Sequence, residues 1–152
     1  MARYKIPVSV LVIIHTPDLQ VLLLERADHP GYWQSVTGSC DPGEMPRQTA
    51  VREVAEETGL DAGAFRLCDR QQQVEFEIFE EWRHRYAPGV THNTEHVFSL
   101  ELPRPLTVTL APREHLSQAW LPWQEAAEKV FSWSNAAAIR RLPEWVGAAC
   151  GG

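Results

Sequence analysis

Residues Val8 to Ile14 are apolar at every position but Ser9, and His15-Thr16 closes the run before Pro17-Asp18-Leu19-Gln20. A second apolar run, Val21 to Arg26, follows at once, so the pair reads as strand, turn, strand over 8–16 and 21–26. The first run is too short to cross a bilayer. Pro7 ahead of it and Pro17 behind it bound a strand rather than the apolar core of a signal peptide. A short strand is predicted at Ser35 to Gly38, a helix from about Pro46 to Thr58, and a long strand within Phe65 to Phe79, where Val74, Phe76 and Ile78 alternate with polar residues. Pro88-Gly89 marks a loop, and His96 to Leu102 returns as a strand. Pro103, Pro105 and Pro112 break the chain into a connector ending near Arg113-Glu114. His115 to Leu121 is a further strand, Pro122 opens a helix reaching about Phe131, and Asn135 to Leu142 forms a second. This order predicts one α/β domain over residues 1–152, a mixed sheet with helices on both sides.

The helix at 46–58 carries the chemistry. Pro46 suits a first turn, where its missing N–H would have no partner, and Gly59 suits the left-handed residue that ends a helix. At about 100° per residue, Ala50, Val51, Val54, Ala55 and Thr58 share one arc and are expected to pack, while Glu53, Glu56 and Glu57 share the other. Such like charges repel by about 0.2–0.5 kcal/mol per pair on an exposed helix, and more where water is excluded. A divalent cation reverses that cost. Mg²⁺, with Mn²⁺ as a substitute, takes oxygen ligands while keeping open positions for phosphate. A solvated acidic face is the commoner origin of a Glu-rich helix, but it does not require Gly38, Glu44, Arg52 and Gly59 at fixed offsets as well.

Those offsets are Gly38, five residues, Glu44, seven residues, then Arg52-Glu53-Val54-Ala55-Glu56-Glu57-Thr58-Gly59-Leu60. The stretch resembles the complete box of the Nudix hydrolases. The resemblance implies an α/β/α sandwich and a metal-dependent hydrolase that cleaves a nucleoside diphosphate linked to another group. It further implies that Glu44 holds Arg52 by an ion pair, that Glu53 and Glu57 are the principal metal ligands with Glu56 in support, and that Gly38 belongs to the metal-binding set. A P-loop is excluded: Gly38 and Gly43 have its spacing, but Glu44 and Met45 stand where Lys and Ser or Thr are needed.

Outside the box, Trp33 to Ser39, Val74 to Phe79, Arg83 to Thr91, Asn93-Thr94-Glu95 and Ser132 to Asn135 resemble the bacterial dihydroneopterin triphosphate diphosphatases of that family. This second resemblance implies release of pyrophosphate from dihydroneopterin triphosphate on the way to folate. It places substrate contacts at Lys5, Arg26, Thr37, Phe76, Glu77, Ile78, Phe79 and Ser132. Lys5 and Arg26 suit triphosphate oxygens, and aromatic and hydroxyl groups suit a flat ring. Taken singly, Arg26 also reads as a solvated strand end, Phe76 as core and Ser132 as a helix cap. Glu114 matches an additional family glutamate and is expected as a metal ligand or general base, with Glu75, Glu77 and Glu95 as competitors. Two alternatives stay open: a sanitising nucleoside triphosphate pyrophosphohydrolase acting on purine or oxidised purine substrates, and a ligand-sensing module without catalysis.

Composition narrows the partners. A net charge of −6 and a pI near 5.5 lack the basic stripe that tracks a nucleic acid backbone, so a small triphosphate is expected and neither a nucleic acid polymer nor a membrane. Cys40, Cys68 and Cys150 are odd in number and widely spaced, which suggests no disulfide framework and a reducing cytoplasm. His92 and His96 have helical metal-site spacing in a segment that reads as a loop, which argues against zinc. Nothing in the chain speaks to oligomeric state.

Overall fold

The computed structural model describes residues 3–148 and 150. Its strands are β1 (Val8–His15), β2 (Gln20–Arg26), β3 (Trp33–Gln34), β4 (Val36–Ser39), β5 (Arg66–Glu77), β6 (His92–Glu101) and β7 (His115–Pro122). Its helices are α1 (Pro46–Thr58), α2 (Trp123–Lys129), α3 (Trp133–Arg140) and α4 (Leu142–Val146), with short 3₁₀ turns at Ala62–Ala64 and Glu80–Arg85.

The unbroken apolar run of β1 has a plain cause: both faces are covered. Val10, Val12 and Ile14 join Leu22, Leu24 and Phe98 beneath Ala50 and Val54 of α1. Leu11 and Ile13 join Val21, Leu23 and Val97 beneath Ala126, Ile139, Leu142 and Trp145 of the other three helices. Each such fully buried aliphatic side chain stabilises by about 1.5–3 kcal/mol, which holds the three layers together. The sheet is mixed: β1 runs parallel to β6, from Val8↔Thr94 to His15↔Glu101, and the other pairings are antiparallel.

β1 and β2 meet only at His15↔Val21 and then diverge. Into the gap comes the segment 33–39, whose first part pairs with β2 (Leu24↔Gln34) and whose second pairs with β1 (Val12↔Val36). Ser35 sits at the change of partner, where its backbone has no ladder to join. Its N–H donates instead to Asn135 Oδ1 at 2.9 Å, and Asn135 Nδ2 donates back to Ser35 Oγ at 3.0 Å. This fixes the N-terminal end of α3 against the middle of the sheet.

Several elements depart from expectation. β6 begins at His92, so His92 and His96 lie along one strand, about 13 Å apart at strand rise and out of reach of a shared ion. The turn at 80–85 and α4 were not foreseen, and α3 starts two residues early because Ser132 Oγ accepts the Asn135 N–H as its cap. On α1 the packed arc is rotated from the one predicted. Val51 and Ala55 face outward, while Thr49, Ala50, Val54, Glu57 and Thr58 are buried. The deviation has a chemical reason, since the side that packs against β4 must carry Glu57 inward. The cysteine expectation is also corrected: Cys68 and Cys150 form a disulfide across a separation of 82 residues, leaving Cys40 free and buried. Spacing along the chain could not show that the C-terminal segment returns to the start of β5.

Candidate active site

The loop before α1 is locked to the helix by one ion pair. Arg52 donates to Glu44 through Nε (2.8 Å) and Nη2 (2.9 Å), while Thr49 Oγ1 and the Asp41 N–H also donate to Glu44. These donors, Arg52 first, hold the Glu44 carboxyl down at about 2. The same guanidinium reaches Ser39 O at 3.0 Å and Glu53 Oε1 at 2.6 Å. Gly38 matters because a Cβ there would overlap the Glu53 carboxylate, so only glycine lets that group lie flat against β4.

Glu57 is 1% exposed, and among the described residues its carboxylate oxygens meet no donor in good hydrogen-bond geometry: the Glu53 carboxyl lies against it, and only the Thr37 backbone favours its charge. Burial first, then the adjacent Glu53 and Glu114 charges, push its pKa well above the usual carboxylate range; burial likewise raises Glu53. A carboxylate left so costs several kcal/mol unless a cation meets it. Glu57, Glu114 and His115 each offer a ligand atom within 4.8 Å of one another. The orphaned Glu57 oxygens and the space kept at Gly38 for Glu53 fit a divalent ion on this oxygen-rich set. Glu56, by contrast, is half-exposed and accepts at 3.2 Å from the Arg52 Nη1 that also bonds Glu53.

His115 was foreseen only as the start of a strand. It is 4% exposed, its Nε2 lies 3.6 Å from Glu57 Oε1 and 3.2 Å from Gln34 Nε2, and desolvation, aided by Arg26, lowers its pKa to about 4. It is therefore neutral near pH 7. Gln34 Oε1 in turn accepts from Arg26 Nη1 at 2.9 Å, which ties β2 and β3 to the acidic group. Glu114 is carried there by the turn Ala111–His115, and its carbonyl accepts from Ala27 N–H at 2.8 Å.

Beside this group opens a cleft of about 900 Å³, within the usual range for a small-molecule site. Lys5, Arg26, Thr37, Phe76, Glu77, Ile78, Phe79 and Ser132 all line it, together with Glu53, Glu57 and Glu114. Glu56 does not. Their roles differ, however. The Arg26 fork is already taken by Asp28 (2.8 and 2.7 Å), and its face lies 4.7 Å from the Trp82 ring. Thr37 Oγ1 donates to Val10 O, Glu77 pairs with Arg83 at 2.9 Å, and Ser132 caps α3. Lys5 stands nearer to free charge; partial desolvation and the neighbouring Arg85 and Arg26 lower its pKa. Of the competing acids, Glu75 does not line the cleft, whereas buried Glu95 does.

Sequence reading named Phe79 but missed the aromatic residues that surround it. Phe79 stacks on Trp82 at 5.2 Å, Phe131 stacks on Tyr32 at 4.6 Å, and Phe131 meets Phe79 and Trp82 edge-on. Trp82 sits in the unforeseen 3₁₀ turn, and Phe131 in the link between α2 and α3, where its N–H donates to Trp33 O. Aromatic residues in polar surroundings were the available signal, with no periodicity to group them.

The family model of the NUDIX domain matches residues 5–142. The dihydroneopterin triphosphate diphosphatase of Escherichia coli is 50% identical over 142 residues, covering 91% of this chain and 93% of that protein. The Haemophilus influenzae protein of the same name is 42% identical over 144 residues, with 93% and 90% covered. Among solved structures, the E. coli dihydroneopterin triphosphate pyrophosphohydrolase aligns with a TM-score of 0.86 at 50% identity, over 91% of this chain and 95% of that one.

Proposed function

Since the chain belongs to the NUDIX domain family, we propose that it hydrolyses dihydroneopterin triphosphate to the monophosphate and pyrophosphate, using Mg²⁺ or, in its place, Mn²⁺. The observation that carries this reading is one cleft lined both by buried Glu57 with exposed Glu114 and by an aromatic wall. Two relatives that share nearly the whole chain bear that substrate in their names. In this reading Glu53, Glu57 and Glu114 would hold the ion, which would supply positive charge against the phosphate oxygens and a Lewis acid for the attacking water. Glu114, the most solvent-accessible of the three, takes the proton as the water oxygen bonds to phosphorus and the anhydride P–O bond breaks. Glu44 and Arg52 keep Glu53 in place, and Lys5 meets the polyphosphate. A cytoplasmic setting completes the proposal.

A sanitising purine triphosphatase would use the same acids, so the decision lies in the ring. The test is a hydrolysis panel of dihydroneopterin triphosphate, dGTP, 8-oxo-dGTP and dATP with products identified. The highest kcat/KM should fall on the pterin, with pyrophosphate as product, because that ratio measures transition-state discrimination. A much higher value for a dNTP replaces the proposal with the sanitising activity.

A further inference from the structure

The floor of the cleft is built from the first residues of β6. Asn93 and Glu95 lie on the same sheet face as Val97, four and two residues on, and Ser134 at the start of α3 hydrogen-bonds the Glu95 carboxyl, with all three polar residues lining the cleft. Glu95 pairs across the sheet with Ser9, and Asn93 with Phe76. Both polar side chains are nearly sealed, at 5% and 2% exposure, and each keeps an oxygen without a partner among the described residues: Glu95 Oε1 and Asn93 Oδ1. Asn93 Nδ2 is spent on Ser9 Oγ at 2.7 Å, so the amide presents its acceptor. Neither residue belongs to the acidic group around Glu57, and the hydrolytic chemistry makes no use of them.

We infer that Glu95, with Asn93 beside it, is the ring-reading device of this cleft, accepting the adjacent N–H donors of a 2-amino-4-oxo pyrimidine edge. Two parallel acceptors on a carboxylate match the exocyclic 2-amino group and the N3–H, as they match the paired N–H groups of a guanidinium. The flat remainder of the ring then lies toward Phe76 and the aromatic wall, and its side chain leads out to Lys5 and the metal-binding acids. Desolvation holds the Glu95 pKa up at about 7, and Ser134 opposes it; two N–H donors arriving on the group favour its charged form. A site whose buried acceptors are unmet strongly rejects a ring without those donors. The inference rests on the proposed substrate only for the choice of ring, since guanine presents the same edge.

The test is binding without turnover. Neopterin and its lumazine analogue, in which a 2-oxo group replaces the 2-amino group, are titrated by their own fluorescence into the wild-type protein and into Glu95→Gln, without metal. The wild type should bind neopterin at least about ten-fold more tightly than the lumazine, and Glu95→Gln should erase that ratio while keeping the lumazine affinity. Retained lumazine binding shows that the variant is folded and its cleft intact. A variant that still prefers neopterin, or that loses both ligands alike, overturns the inference. Failure of the substrate proposal is read separately, from wild-type hydrolysis: an enzyme can prefer the 2-amino ring and yet not cleave dihydroneopterin triphosphate.

Discussion

Glu57 and Gly38 show what a single residue does here. With burial raising the Glu57 pKa above its unfolded value of about 4.5, the metal-free native state binds more protons than the unfolded chain over that window, and stability falls as pH rises through it. His115, lowered to about 4, acts oppositely between pH 4 and 6.5, and His15, lowered by burial, does so below 6.5, so for these two acidification is destabilising. Glu95, raised by burial to about 7, adds to the Glu57 slope up to that pH. Metal-free Tm should therefore drop as pH rises above about 6.5 through the raised carboxyl range. Glu57→Gln should flatten that drop and stabilise the metal-free protein by about 1–3 kcal/mol, while removing most of the Tm gain on adding Mn²⁺ and nearly all hydrolysis. A metal-free variant less stable than wild type at pH 8 contradicts the unpaired-charge account. Gly38→Ala should leave the fold in place but displace Glu53, weakening Mn²⁺ binding by about 10- to 100-fold in a titration of metal-induced Tm shift.

At the scale of elements, the locally encoded features are the ones that could be read in advance. The extents of β1 and α1 follow from a bounded apolar run, from Pro46 and from Gly59, whose φ of 74° is the left-handed end its position demands. The facing of α1 could not be read this way, because a helix surface that buries Glu57 looks polar in a periodicity count. The segment 33–39 was legible only as one short strand. That it changes partner at Ser35 depends on the divergence of β1 from β2, and on a helix 100 residues later that supplies Asn135. Asn135→Ala should leave the Ser35 N–H buried and unmet, at a cost of about 1–3 kcal/mol, seen as a lower urea midpoint with an unchanged m-value.

For the molecule as a whole, the disulfide between Cys68 and Cys150 is the long-range constraint that composition concealed. Closing a loop of 82 residues removes up to about 4.5 kcal/mol of unfolded-chain entropy, less whatever structure the unfolded chain retains. Unfolding with and without reductant should show a clear gap in the wild type, and Cys150→Ser should abolish it. Activity under reducing conditions should persist, because the bond joins the start of β5 to the C-terminal segment and neither cysteine lines the cleft.

What the sequence determined by itself is the grouping of Gly38, Glu44, Arg52, Glu53 and Glu57, which lie within twenty residues, on the end of β4, one loop and one helix, so their spacing sets most of their geometry. Tertiary structure decided the rest. Glu114 and His115 reach Glu57 only because a turn ahead of β7 is pinned to Ala27, and Trp82, Phe131, Asn93 and Glu95 meet only because β6, the 80–85 turn and the α2–α3 link converge on one end of the sheet. None of those side chains shares a helical or strand period with another element's. Their proximity is a product of sheet register and layer packing, which no local pattern records.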